Sequence, residues 1–229
     1  MLKITWLGHT TFSLEMPTGE VVVLDPWIDG NPKFPAGYTF QRVDTILITH
    51  GHSDHIGGVR ALAGQFNPQI VSNFEIATWL SSKGVSNTNG MNKGGSFQSG
   101  PLKVTMTHAI HSSGIEDDDG RMVYGGEPGG YVLHFPDGRN AYFAGDTEVF
   151  SDMALIRELY EPELIFLPIG DLYTMNPRGA AIACRLLNPQ KVIPMHYGTF
   201  PALTGTPEEL ARLVQSEVWT LEPGVTVTW

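Results

Sequence analysis

The sequence predicts a mixed α and β fold, and three features of its 229 residues carry that prediction. Its opening alternates short apolar runs with turn residues and takes no helical period, the pattern of an antiparallel meander. From residue 43 onward, apolar runs alternate with amphipathic helical stretches in β-α-β-α order. The same succession, strands first and then alternation, begins again near residue 102.

Residues 3–7 and 11–15 read as strands separated by Gly8-His9-Thr10, and Pro17-Thr18-Gly19-Glu20 turns the chain into a third strand over 21–25. Between Pro26 and Gln41, prolines, glycines and aromatics follow no period, so this is an ordered loop, either a pocket wall or packed surface. Residues 43–49 are β-branched and apolar around Asp44, a short buried strand that stops at His50. A helix opens within 57–65, a strand runs over 69–72, and Phe74, Ala77, Trp79 and Leu80 share a helical face that ends near Gly84. The Gly-, Asn- and Ser-rich stretch 84–100 carries short strand fragments at most.

Residues 102–108 alternate cleanly, which places Leu102, Val104, Met106 and His108 on one apolar face. Asp117-Asp118-Asp119-Gly120 lacks the spacing and distal glutamate of a calcium loop and reads as a solvated, mobile acidic loop. Residues 131–135 and 140–144 flank a Pro136-Asp137-Gly138 turn as a hairpin, on which His134 faces away from Tyr131, Leu133 and Phe135, exposed and inert. A helix over 151–159 turns Met153, Ile156, Leu159 and Tyr160 inward, and 164–168 is a buried strand. Pro177 can start a helix bearing Ala180, Ala181, Ala183, Cys184 and Leu187, in which Cys184 acts as a small hydrophobe and no nucleophile. The strand 192–195 ends in His196, and Thr206-Pro207-Glu208-Glu209 is a capping box that starts the last helix with Leu210, Leu213 and Val214 inward. A strand over 225–228 closes the chain.

With 41% hydrophobic residues, the chain reads as one globular domain spanning 1–229. A single cysteine rules out an intrachain disulfide, and the N-terminus lacks the apolar core of a signal peptide. With no apolar run long enough for a bilayer, a cytoplasmic protein with no membrane partner is expected. A formal net charge of −10 and the lack of a Lys/Arg cluster argue against nucleic acid as a partner. The expected partner is a small molecule, with an anionic one compatible because bound divalent cations make a local site positive; a homo-oligomer is compatible with the sequence.

The most informative stretch is Thr49-His50-Gly51-His52-Ser53-Asp54-His55-Ile56-Gly57-Gly58, with three imidazoles and a carboxylate within six residues at the end of a strand. Its glycines allow the tight turns that let side chains one, three and four positions apart converge. Imidazole and carboxylate without thiolate suit zinc, manganese or iron in an open site, not a closed structural zinc site. Two other strands also end at a ligand type, at Gly145-Asp146-Thr147 and at His196. Of His108 and His111, the first continues a core-facing row and is expected buried, whereas the second lies past the strand, free to turn toward a metal; His111 is the choice and His108 the fallback.

His50-Gly51-His52-Ser53-Asp54-His55 matches the H-x-H-x-D-H signature of the metallo-β-lactamase superfamily of binuclear metal hydrolases. Trp6-Leu7-Gly8-His9, Leu24-Asp25-Pro26, Gly145-Asp146-Thr147 and 194–200 resemble its branch of metal-dependent hydrolases of unknown substrate, which is similar to sugar-phosphate lactonases and to the phospholipase D that acts on N-acyl-ethanolamine phospholipids. The resemblance runs from residue 3 to about residue 200. It implies a four-layer αββα sandwich in the α/β class, with ligand loops along one edge.

The resemblance also implies the grouping of ligands: His50, His52 and His111 on one metal, Asp54, His55 and His196 on the other, and Asp146 bridging. The cofactors expected are two divalent ions, zinc first, with manganese or iron as alternatives. Ions about 3.5–4 Å apart lower the pKa of a bridging water and so supply hydroxide to cleave a small ester, lactone or phosphodiester. Asp54 and Asp146 are therefore catalytic candidates as well as ligands. Asp25 is placed to accept a ligand imidazole's remaining N–H, and His9 and Tyr197 to donate to substrate or leaving group; each of these three also has a plain structural reading. The alternatives to a hydrolase are a metal-dependent binding or sensor protein without turnover, and a nuclease. Where relatives carry Pro-Ile-Gly-Gly and then a polar residue, this chain has Pro168-Ile169-Gly170-Asp171-Leu172, so no relative's substrate carries over.

Overall fold

The computed structural model describes the whole chain, Met1–Trp229. Its first elements are β1 Lys3–Trp6, β2 Phe12–Glu15, β3 Val21–Leu24, β4 Thr45–Leu47, α1 Ser53–Ile56, α2 Val59–Phe66, β5 Gln69–Asn73, α3 Phe74–Ser82 and β6 Thr88–Met91. Then come β7 Ser96–Ser99, β8 Leu102–His108, β9 Gly114–Glu116, β10 Met122–Tyr124, β11 Gly129–His134, β12 Asn140–Phe143 and α4 Met153–Tyr160. The chain finishes with β13 Leu164–Pro168, α5 Pro177–Leu187, β14 Lys191–Met195, α6 Pro207–Ala211, β15 Glu217–Val218 and β16 Thr226–Thr228. Two compact units result, one of Met1–Asn92, Ser112–Pro128 and Leu221–Trp229, the other of Lys93–His111 and Gly129–Thr220.

The first unit holds a seven-stranded sheet in the order β16-β1-β2-β3-β4-β5-β6. Its β16-β1-β2-β3 half is antiparallel, as tight turns allow, and its β3-β4-β5-β6 half is parallel. Parallel neighbours need a crossover; α2 makes it between β4 and β5, α3 between β5 and β6, and the 25–44 loop makes it between β3 and β4. Val23, Ile46, Ile48 and Ile70 from the sheet pack with Ile56, Val59, Leu62, Ile76 and Leu80 from the helices in a solvent-free core. The second unit repeats the plan in a sheet ordered β15-β14-β13-β12-β11-β8-β7, with a parallel half from β15 to β12 and an antiparallel half from β12 to β7. There α4 and α5 bury Met153, Ile156, Ala180, Ala181, Ala183, Cys184 and Leu187 against Val132, Tyr142, Ile165, Leu167 and Val192. This is the mixed α/β class that the strand and helix patterns predict, with two large sheets and their helices.

Local signals set several boundaries. Thr206 caps α6 by accepting from the Glu209 N–H at 3.2 Å, and Pro207 occupies the first helical position. Asn176 caps α5 in the same way, accepting from Arg178 and Gly179 before Pro177.

Other expectations fail for tertiary reasons. His108 is exposed rather than core-facing: it ends β8 opposite Gly129, which offers no side chain to cover it, and its Nδ1 lies 3.0 Å from the Lys93 ammonium. Leu159 is 68% exposed, because Met153, Ile156 and Tyr160 keep the inward stripe of α4 while Leu159 is rotated off it. Phe74 is likewise off the Ile76, Ala77 and Leu80 stripe of α3, and Leu213 lies in a turn beyond the end of α6 at Ala211. His134 is half-buried and engaged, bonded to Asn140 Oδ1 at 2.8 Å and Thr105 Oγ1 at 2.9 Å, with burial pulling its pKa below the ordinary histidine value.

The acidic stretch 117–120 is the tip of an unanticipated hairpin, β9–β10. Lys83 pairs with Asp117 and Asp118, Arg60 reaches Asp118 at 2.7 Å, and Trp79 Nε1 donates to Asp117 at 3.3 Å. The tip is therefore tied to α2 and to the end of α3 rather than simply solvated.

Candidate metal centre

In open α/β sheets, ligand sites form beyond the carboxyl ends of parallel strands. In the first unit those ends deliver Asp25 after β3 and His50 to His55 after β4. Asp25, at φ 41 and fully buried, turns its carboxylate under the β4 end. Its Oδ1 accepts from the Thr49 N–H at 2.8 Å, and its Oδ2 accepts from the Thr49 hydroxyl at 2.6 Å and lies 2.8 Å from His55 Nδ1. Burial pushes the Asp25 carboxyl above its ordinary range, opposed by His55 and Thr49.

This network fixes two imidazoles. His55 Nδ1 carries the proton given to Asp25, so its Nε2 bears the lone pair. The Thr49 hydroxyl spends its proton on Asp25 and so accepts from His50 Nδ1 at 3.0 Å, which leaves the lone pair on His50 Nε2 as well. Asp25 thus accepts from one candidate imidazole, His55, and through Thr49 sets a second, His50, a link that the sequence did not reveal.

The remaining geometry of this unit follows from tight backbone turns. Ser53–Ile56 form one helical turn, with the His55 and Ile56 N–H groups donating to the His52 carbonyl. His50 Nε2 and His52 Nδ1 face each other at 3.0 Å. His9, at φ 56 in the turn after β1, has its ring wholly buried with Nε2 3.0 Å from Asp54 Oδ2. Gly8 precedes it at φ 91, and a Cβ there would stand 2.6 Å from Lys33 Cβ, so only glycine fits this turn. The ligand atoms of His9, Asp54 and His55 lie within 4.8 Å of one another, as do those of Asp25, His50 and His55.

In the second unit, Asp146 follows β12 and His196 follows β14, both 2% exposed. One carboxylate oxygen, Asp146 Oδ2, faces His196 Nε2 at 3.0 Å and His111 Nε2 at 3.6 Å. Thr147 Oγ1 accepts from the Ile110 N–H at 3.0 Å and the Glu148 N–H donates to the Ile110 carbonyl at 3.0 Å, which holds the 109–111 segment beside the 146–148 turn. His111 and not His108 therefore lies beside Asp146. His196 adopts φ 55 against Gly170, where a Cβ would meet the His196 carbonyl at 2.1 Å. Tyr197 is half-buried against the α5 core, and burial pushes its phenol up to about 12, so it is protonated at neutral pH. Leu172, at the position that departs from relatives, is 63% exposed at φ 52.

The donor set fits divalent cations. It consists of imidazoles and carboxylates; Cys184 is buried in α5 with its thiol pushed up to about 12. One lone-pair arrangement also asks for positive charge: His55 Nε2, whose Nδ1 carries the ring proton, faces Asp54 Oδ2 at 3.8 Å. Acceptors turned toward each other repel unless a proton or cation lies between them.

Comparison with known proteins gives a consistent result. A family profile described as "Beta-lactamase superfamily domain" matches residues 20–197. A UPF0173 metal-dependent hydrolase of Solibacter usitatus is 62% identical, with 100% of each chain covered. One from Koribacter versatilis is 51% identical over 98% of this chain and 97% of its own. Among solved structures, Igni18, a metallo hydrolase from the archaeon Ignicoccus hospitalis, is 35% identical with a TM-score of 0.87, covering 100% of this chain and 98% of that one.

Proposed function

Because the chain belongs to the β-lactamase superfamily, among relatives named metal-dependent hydrolases, we propose that it is a binuclear hydrolase that cleaves a small ester, lactone or phosphodiester. The observation that carries the proposal is the paired preparation of candidate ligands: Asp25 presets the imidazoles of His50 and His55 in the first unit, and Asp146 gathers His111 and His196 in the second. On this reading His50, His52 and His111 would hold one ion, Asp54, His55 and His196 would hold the other, and Asp146 would be shared by both. Zinc is the first expectation, with manganese or iron as alternatives.

Bound divalent ions supply a water acidified toward neutrality and a Lewis acid for the oxygen that gains charge. The chain's own residues do the remainder. Asp25 and Thr49 hold two imidazoles in the tautomer that offers Nε2. His9 donates to Asp54 Oδ2, which orients that carboxylate. Tyr197 stays a protonated donor through the neutral range. A small anionic substrate suits this charge arrangement despite the acidic chain.

Metal content after loading, together with turnover on a panel of lactones, phosphodiesters and thioesters, tests the proposal. Two equivalents per chain and hydrolysis of one class are expected. Asp146→Asn is expected to retain the metal-free thermal transition and lose activity by orders of magnitude. Loading that never exceeds one equivalent would sink the binuclear mechanism, and near-normal turnover by Asp146→Asn would remove the bridge.

A further inference from the structure

The loop of His50-Gly51-His52 is held from outside by the β9–β10 hairpin, whose base carries two adjacent serines. Ser113, 7% exposed, accepts from the Gly51 N–H at 3.1 Å and donates to the Gly125 carbonyl at 2.9 Å, while the Gly125 N–H donates back to the Ser113 carbonyl at 2.8 Å. Asn73, the cap of α3, donates to the same Gly125 carbonyl at 2.7 Å and to the Glu127 carbonyl at 3.1 Å. Ile115 closes over Gly51 so tightly that a Cβ there would stand 2.6 Å from Ile115 Cγ1. With its tip tied to Lys83 and Arg60, the hairpin is anchored at both ends within its unit.

The other serine, Ser112, places its hydroxyl 3.2 Å from His52 Nε2. His52 is thereby bracketed, with Nε2 on Ser112 and Nδ1 on His50 Nε2. His50 Nε2 bears a lone pair because its Nδ1 proton goes to Thr49. Without a cation, His52 satisfies that lone pair as the Nδ1–H tautomer, and its own Nε2 then needs a donor. With a cation between the two rings, His52 must offer the Nδ1 lone pair, its proton moves to Nε2, and Nε2 then needs an acceptor. A serine hydroxyl rotates to be either.

We propose that Ser112 is a positioning residue for His52, exchanging donor for acceptor as the imidazole changes tautomer on metal binding, and that Ser113 anchors the intervening Gly51 peptide. The proposal rests on the binuclear reading above. No bond other than the two N–H bonds of His52 changes: one proton leaves Nδ1 for solvent and one from solvent arrives at Nε2.

The test is zinc affinity by competition with a chromophoric chelator, on wild type, Ser112→Ala, Ser112→Thr and Ser113→Ala, with the thermal transitions of the zinc-free forms alongside. Ser112→Ala is expected to weaken one equivalent about tenfold, the low end for partners of ligand imidazoles because this hydrogen bond is solvent-exposed. The other equivalent and the zinc-free transition stay put, and Ser112→Thr restores the affinity. Ser113→Ala weakens the same equivalent and also lowers the zinc-free transition. Long-range proton–nitrogen spectra of wild type should show His52 passing from the Nδ1–H to the Nε2–H form on zinc loading. Equal affinities for wild type and Ser112→Ala, or one unchanged His52 tautomer with and without zinc, overturn the proposal and leave the metal reading intact. A wild-type chain that binds none of zinc, manganese and iron overturns that reading itself.

Discussion

Asp25 is the residue that fixes the imidazoles of His50 and His55, and its sequence context, a carboxylate between a β-strand and Pro26, signals a turn more than a function. Only the fold brings Thr49 and His55 onto it across 24 and 30 positions. Asp25→Asn leaves one oxygen for three donors, so the tautomers of His50 and His55 are no longer both imposed. We expect zinc affinity to fall about 10- to 100-fold; isothermal titration of the variant checks this, and unchanged affinity would show that the imidazoles are set by other contacts. His108 gives the opposite expectation. Being exposed beside Lys93, it should tolerate alanine with a stability change within about 0.5 kcal/mol and no loss of metal. Chemical denaturation and metal analysis of His108→Ala test both halves.

Among the elements, the β9–β10 hairpin depends on charge at its tip. The Lys83 ammonium holds the carboxyls of Asp117 and Asp118 below the ordinary value of 3.8, with a hydrogen bond as the first cause in each. A depressed folded-state pKa adds stability that is complete above the unfolded pKa and is lost as pH falls through the folded one. The hairpin should therefore hold at neutral pH and loosen only below about pH 4, with salt weakening it as well because the Arg60–Asp118 pair is exposed. Hydrogen exchange of the 114–124 amides against pH measures this. Faster exchange beginning near pH 6 would point to a different group. The α4 and α5 helices behave otherwise, since their stripes are buried on α/β crossovers and carry no such pH dependence.

For the whole molecule, metal binding and stability are linked. A ligand that binds only the folded chain stabilises it by an amount set by its concentration relative to its Kd, about 2.7 kcal/mol at a hundredfold excess over Kd. Loading with zinc should raise the Tm, and chelation should lower it reversibly without abolishing folding, because each unit has its own closed hydrophobic core. Calorimetry with and without chelator is the check; a Tm indifferent to metal would mean that the ions do not bind the folded state tightly. No helix of the chain is long and apolar enough to cross a membrane.

By itself the sequence determined the order of the longer strands and helices, the starts of α5 and α6, and the imidazole and carboxylate side chains at the ends of strands. These follow from periods of two and 3.6 residues, from proline and capping chemistry, and from the rarity of three imidazoles so close together. Tertiary structure alone decided which side chains those local patterns leave in water. His108, Phe74, Leu159 and Leu213 read as core-facing from the sequence, yet the fold leaves all four exposed. It also decided the β9–β10 hairpin, whose short, acidic-tipped sequence carries no strand signal until Lys83, Arg60 and Asn73 meet it. His9 on Asp54 and Ser112 on His52 are contacts 45 and 60 positions apart. Burial and hydrogen bonding are properties of what approaches from elsewhere in the chain, and local periodicity reports only which way a side chain points.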